Sequence, residues 1–367
     1  MNFDLTDDQR LLKDSVARFL ADRYGFEQRT RMLAMPGGHD PAIWAELADL
    51  GLLGLPFAEA DGGFGFGGTE IMIVMEEFGR ALVIDPWLPA IVMTAALLND
   101  AATPAQRSAR IEGIVAGTHR IAIAFSEPKA PRYAVAARST VAVADRLTGE
   151  KIAVLGGDQA QELIVSARTD DGGTALFLID ADAPGVRIRG EAGYDGTRVA
   201  TVTLEDVPGE RLPGDGAAHL TRAIEAANAA LCAEAVGAMA AALDLTTDYL
   251  KTRRQFGVAI GSFQTLQHRA VDMLMQLELA RGMAILAAVS LDQPPPVRAA
   301  NIAAAKVRIA RAARAVGQEA IQLHGGIGLT SEYKIGHIFK RLTAIETLFG
   351  DADHHLDMLT DMGGLAA

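Results

Sequence analysis

RIAIAFSEP (residues 120–128) is where the texture of this 367-residue chain changes. From residue 121 to residue 214 the sequence breaks into short runs such as STVAVA, ELIVSART, TALFLID, GVRIRG and VATVTLEDVP. They are rich in Val, Ile and Thr and are separated by Gly, Asp and Pro. That pattern predicts an antiparallel β domain, a sandwich or a barrel.

On either side the period is helical. In residues 1–120, Thr6 and Gln9 have the spacing of a capping box, and Leu12, Val16, Phe19 and Leu20 recur on one helical face. A second helix is expected around Ile43 to Leu50. The Gly-rich GLLGLPFAEADGGFGFGG then reads as a connector: no strand precedes it and no Lys-Ser/Thr pair follows, as a phosphate loop requires. TEIMIVMEEFGRAL is helical again. In residues 215–367 three long helices follow, the first rich in Ala and able to pack closely. The third is opened by Pro294 to Pro296 and closed by Gly325 and Gly326. The predicted class is α+β: an N-terminal helical domain (1–120), a middle antiparallel β domain (121–214) and a C-terminal four-helix bundle (215–367).

Composition narrows the partners. A net charge of −12 argues against a nucleic-acid backbone or an anionic membrane surface. Half of the residues are hydrophobic and 22% are charged, as in an ordinary globular protein. The single cysteine, Cys232, allows no intrachain disulfide and suits a reducing, cytoplasmic compartment. The acidic start lacks the basic segment of a signal peptide, and WLPAIVMTAALL, about twelve residues long, is too short to span a bilayer.

Three segments carry a resemblance. TRRQFGVAIGSFQTLQHRAVDM, QLHGGIGLTSEYKIGHIFKR and the middle segment with SEP and LTGEKI resemble the acyl-CoA dehydrogenase family in order and separation. The resemblance implies FAD as cofactor and removal of a proton and a hydride from an acyl-CoA, giving the 2-enoyl-CoA. It implies a flavin shared by two subunits, and electron-transfer flavoprotein as acceptor. On the family's pattern Arg253 would pair with the flavin pyrophosphate, for which a forked guanidinium is suited. Gln255, Phe256 and Gln264 would be neighbouring cofactor contacts. Gln322, Gly325 and Gly326 would form a turn that admits backbone close to the adenosine side. Asp351 and Asp353 fall where the family has polar residues near the cofactor, and the Ser126 hydroxyl could bond a flavin edge.

The other half of the pattern is eroded. KAPRYAVA stands where the family has a Gly-x-Gly-Ser-Asp loop, and IAVLGG where it has Trp-Ile-Thr-Asn-Gly. The glutamate base of the family's Tyr-Glu-Gly-Thr stretch is absent: TLFGDAD has one residue fewer, with Phe349 in the Tyr place. The minority position for the base, on the long helix, is Ala227. Glu225 points about 200° away on a helix, and Glu346 is four residues before Gly350. No catalytic residue is therefore assigned. Such a chain resembles the non-base partner of heterotetrameric acyl-CoA dehydrogenases of steroid side-chain or dicarboxylyl-CoA degradation. That implies a partner dehydrogenase subunit in an α2β2 assembly. The alternatives are a self-sufficient homotetramer using Glu225, Glu346 or Asp351, and a cofactor-free structural subunit.

ETLFGDADHH (residues 346–355) has the atoms of a metal site, but adjacent histidines diverge by about 100° on a helix. No metal is expected there, and Asp351 suits a helix N-cap.

Overall fold

The protein is described by a computed structural model covering residues 4–364. Its first third forms α1 (Asp7–Arg23), α2 (Phe26–Leu33), α3 (Pro41–Asp49), α4 (Gly68–Ala81), α5 (Thr94–Ala101), α6 (Pro104–Ser108) and α7 (Ile111–Val115). The middle forms β1 (Ile121–Ala124), β2 (Val141–Val143), β3 (Arg146–Leu155), β4 (Glu162–Arg168), β5 (Thr174–Asp180), β6 (Val186–Ala192), β7 (Arg198–Pro208) and β8 (Glu210–Arg211). Then come α8 (Gly216–Thr252), the small hairpin β9 (Arg254–Gln255) and β10 (Val258–Ala259), α9 (Gln264–Ser290), α10 (Pro295–His324), α11 (Lys334–Thr347) and α12 (Ala352–Asp361). The α+β order read from the sequence is the order observed.

By packing, the chain divides into two units that do not follow that linear order. One gathers residues 4–28, 68–83 and 228–364; the other gathers 29–67 and 84–227. The boundary falls inside α8, because a helix 37 residues long outruns any single core.

The second unit is built on an eight-stranded sheet in the order β6-β7-β3-β2-β4-β5-β8, with β1 on β4. Its core follows the strand period. Leu163, Val165 and Ala167 of β4 lie opposite Ile179, Phe177 and Ala175 of β5, all at 0–2% exposure. The sheet is mixed, where alternation alone reads as antiparallel. Strands joined by short turns are antiparallel, but β1 reaches β4 through β2 and β3, a connection long enough for parallel pairing. A buried ion pair staples the sheet. Lys151, fully buried, donates to Glu127 at 2.8 Å, Ser166 Oγ at 3.0 Å and Phe125 O at 3.2 Å. Glu127 also accepts from the Ser139 and Thr140 backbone N–H groups at 2.7 and 3.0 Å. Burial pushes the Glu127 carboxyl up, but these donors outweigh burial and hold it at about 2. Burial lowers Lys151 to about 8.

The first unit is a helical bundle. α1 begins at the capping box expected from Thr6 and Gln9, both halves of which form. α4 crosses the C-terminal part of α8 at glycines on both sides: a Cβ on Gly79 would strike Glu234 O, and one on Gly237 would strike Glu76 O. Arg341 of α11 forks onto Glu234 of α8, with its second nitrogen at 2.8 Å and both side chains buried. The bundle exceeds the four helices expected, because α12 packs on α10 and the N-terminal α1 and α4 join it.

Among the described residues two helices are long and apolar enough, by length and composition, to cross a membrane. The apolar window of α8 is 94% buried, which makes it a core helix; that of α9 is only 39% buried. Val271, Leu274, Met275 and Leu279 stand exposed along α9 at helical spacing.

Candidate cofactor site

The segment after α8 turns back at once. β9 and β10 pair Arg254 with Ala259 and Gln255 with Val258, so Phe256 and Gly257 alone make the turn. Their φ angles of 54° and 84° are those of a type I′ hairpin. Left-handed backbone is costly for an aromatic residue, and Phe256 is also 89% exposed. Phe263 lies edge-on to it at 6.1 Å. Arg254 bonds Gly257 O at 3.2 Å and so braces the hairpin. Arg253 is exposed, and among the described residues its guanidinium has no ion pair or side-chain hydrogen bond. Gln264 opens α9 directly beyond.

A stack of rings joins this hairpin to the end of α10. Tyr249, one turn before Arg253, packs on His324 with ring centroids 4.7 Å apart, and Tyr333 flanks the same ring at 5.2 Å. His324 is 3% exposed and its Nδ1 lies 2.8 Å from Ala320 O. It therefore serves packing. Gly325 takes φ 61° and ends the helix, and added Cβ atoms at Gly325 and Gly326 would meet nothing within 4 Å. Gln322 is exposed one turn earlier, on the helix face that carries Arg311, Arg314 and Gln318. The structure thus gathers Arg253, Gln255, Phe256, Gln322, Gly325 and Gly326 at one end of the first unit. Unpaired donors beside open backbone suit a diphosphate and an adenosine.

The two aspartates part company. Asp351 caps α12, accepting from His354 N at 2.9 Å. Asp353 lines a cavity of about 310 Å³ with Arg311, Arg314, Gln318 and Glu346. Glu346 is engaged by Arg314 there, with the guanidinium Nε at 3.3 Å, so it is not a free carboxylate. Ala227, the other position for a base, is fully buried. His354 and His355 face each other edge-on at 5.3 Å, and no group of three metal-ligating side chains occurs among the described residues.

Ser126 belongs to the second unit, at the end of β1. Its carbonyl accepts from Ile152 N at 2.9 Å, and its hydroxyl has no partner among the described residues. Around it the chain is distorted. Lys129 and Tyr133 both hold φ 65° in the stretch that replaces the family's Gly-rich loop, and Ala153 holds φ 53° at a bulge in β3. Val154 turns inward at 1% exposure, leaving no aromatic or hydroxyl group on that stretch. Of the predicted contacts, only Ser126 lies on this side.

Three residues at the shortened loop escaped the sequence reading. Lys306 donates to Ile345 O at 2.6 Å and Leu348 O at 2.9 Å; Asn228 donates to Phe349 O at 3.3 Å; His355 lies against Gly350. A lysine inside the apolar run NIAAAKVRIA was the available signal for the first.

Sequence models of the acyl-CoA dehydrogenase N-terminal, middle and C-terminal domains match residues 6–118, 122–207 and 214–362. The acyl-CoA dehydrogenase FadE12 of Mycobacterium tuberculosis is 33% identical over 356 residues, covering 90% of this chain and 89% of its own. The solved Tcur3481-Tcur3483 steroid ACAD variant superposes with a TM-score of 0.89 at 30% identity, covering 97% of both chains. The FAD complex of PigA gives 0.89 at 25% identity over the full length of both. With all three domains matched in order on a helical–β–helical fold, this chain belongs to the acyl-CoA dehydrogenase family.

Proposed function

We propose that this chain is the non-base subunit of a heteromeric, FAD-dependent acyl-CoA dehydrogenase. One observation carries the reading. The first unit keeps unpaired polar groups and open glycines at the cofactor end, while the loop meant for the base is one residue short and holds no carboxylate.

FAD held here would supply the oxidising power for a hydride to leave the β-carbon of the acyl thioester. This chain's residues bind and orient. Arg253 offers a fork of donors to the pyrophosphate. Gln322 supplies an amide, and Gly325 and Gly326 let backbone approach where a side chain would stand off. Gln255, Phe256 and Gln264 complete the adenosine side, and Asp353 with Arg311 lines the adjoining face. Ser126 contributes at most one hydroxyl to a flavin ring. Proton removal at the α-carbon falls to a carboxylate of the partner subunit.

The assembly is an α2β2 tetramer acting in the cytoplasm, with electron-transfer flavoprotein as acceptor. The steroid ACAD relative supports a bulky acyl group, and the exposed Val271, Leu274, Met275 and Leu279 support burial against another chain. The test is co-purification with the dehydrogenase chain encoded alongside it, followed by flavin quantification. Half a flavin per chain in a mixed tetramer, with turnover of acyl-CoA, is expected. Full flavin loading and turnover by the isolated chain would sink the reading.

A further inference from the structure

We infer that Lys306, Asn228 and His355 clamp the shortened loop 348–350 as a rigid wall of the flavin site, acting as positioning residues. The inference rests on the function proposed above.

The loop is held in an uncommon shape. Phe349 takes φ 54°, left-handed backbone that is costly for an aromatic residue, and Gly350 follows at φ 120°, which only glycine adopts readily. Backbone of that kind persists only when its surroundings over-determine it. Three carbonyls close to and within the loop are each taken by a buried side chain. Lys306 of α10, 1% exposed, takes those of Ile345 and Leu348. Asn228 of α8, 2% exposed, takes that of Phe349. From the other side, His355 Nε2 occupies the space where a Cβ on residue 350 would go, so only glycine fits. The His355 ring is 3% exposed and fills the space against Gly350 from that side. Asp351 then caps α12 and fixes the far end. A loop stripped of its catalytic group has no need of such restraint unless its position serves a neighbour.

Lys306 gives the clamp a pH dependence of its own. Burial brings its ammonium down to about 8. The groups facing it are Cys232 on α8, Glu346 and Arg341 on α11, and Asp351 and His355 at α12. Burial holds the Cys232 thiol at about 12 and the His355 ring at about 3, so both stay neutral through the range that matters. The folded pKa of Lys306 lies below its unfolded value of 10.5. The unfolded chain therefore binds more protons between the two, and this residue's contribution to stability rises with pH. Its grip on the carbonyls weakens over the same range, as a charge-assisted donor becomes a neutral one. Stability and loop order move in opposite directions.

The test uses the co-purified complex with Lys306→Met, Lys306→Arg and Asn228→Ala, and Met273→Ala as a destabilised control in the same bundle. Hydrogen exchange of residues 347–352 and the dissociation constant for FAD are measured from pH 7 to 9.5. Tenfold faster exchange of that segment in Lys306→Met and Asn228→Ala, but not in Met273→Ala, is expected. FAD binding should weaken several-fold above pH 8 in the unchanged complex, and Lys306→Arg should abolish that inflection. If Lys306→Met does not fold, Asn228→Ala alone decides the exchange result. Unchanged exchange in the loop, or exchange that follows melting temperature in all variants, overturns the clamp. A complex without flavin overturns the functional reading, and the exchange result still judges the clamp.

Discussion

The two ends of the family's cofactor pattern have aged differently in this chain. In the helical unit, Arg253 and Gln322 have no side-chain partner among the described residues, and Gly325 and Gly326 have open space over them. In the β unit, the stretches that should face a flavin ring have lost their aromatic and hydroxyl groups, and Lys129, Tyr133 and Ala153 sit in left-handed backbone. The sheet itself is intact, down to the Glu127–Lys151 staple. The contrast teaches that a fold and a site are kept by different forces. Core burial holds the β unit together whatever faces the flavin, whereas an exposed arginine that pairs with nothing adds little to stability, so its worth is read by ligand binding and not by melting.

The largest expected effect tests the structural side of this contrast. Glu234→Gln leaves Arg341 as a buried charge without its partner, and should cost about 3–5 kcal/mol in denaturant unfolding. A loss below 1 kcal/mol would mean that the bundle core is not built as described. Next comes the ligand side. Arg253→Ala should leave the melting temperature of the isolated chain unchanged, since nothing in the fold leans on it. In the complex it should weaken FAD binding by roughly 10- to 100-fold, the equivalent of about 1.5–3 kcal/mol for hydrogen bonds to a charged group. Equal flavin affinity would remove the cofactor role of the retained half.

Acid should expose the staple of the β unit. The Glu127 carboxyl is held at about 2 against an ordinary 4.5. Its stabilisation is therefore complete above pH 4.5 and is lost as pH falls toward 2. Glu127→Gln should flatten that acid limb in a pH-dependent unfolding series, and a limb of unchanged slope would refute the assignment. The smallest effect on stability is the sharpest on function. Gly326→Ala meets open space, so stability should stay within about 0.5 kcal/mol. Flavin titration should nevertheless show weaker binding, because the methyl group occupies the approach to the backbone. Undiminished affinity would place the adenosine elsewhere.

Much of the fold was legible because its signals are local. The Thr6–Gln9 capping box, the prolines opening α10 and the Val- and Ile-rich runs of the sheet act within a few residues of themselves. The Asp351 cap was legible for the same reason. The parallel pairing of β1 with β4 was not, since strand direction depends on a partner forty residues away. Nor was the capture of Glu346 by Arg314, which joins two helices. The expected cofactor contacts were named where the family's motifs survive. Around the lost base the sequence offered only an absence, and the side chains that hold the loop come from α8, α10 and α12.

By itself the sequence determined the α+β order and the family, because periodicity, caps and motif spacing are properties of neighbouring residues. Only the tertiary structure decided that the linear domains regroup into two packed units, that Arg253 stands unpaired while Glu346 does not, and that three buried side chains hold the loop 348–350. Burial and pairing are set by distant segments brought together, and no local window contains them.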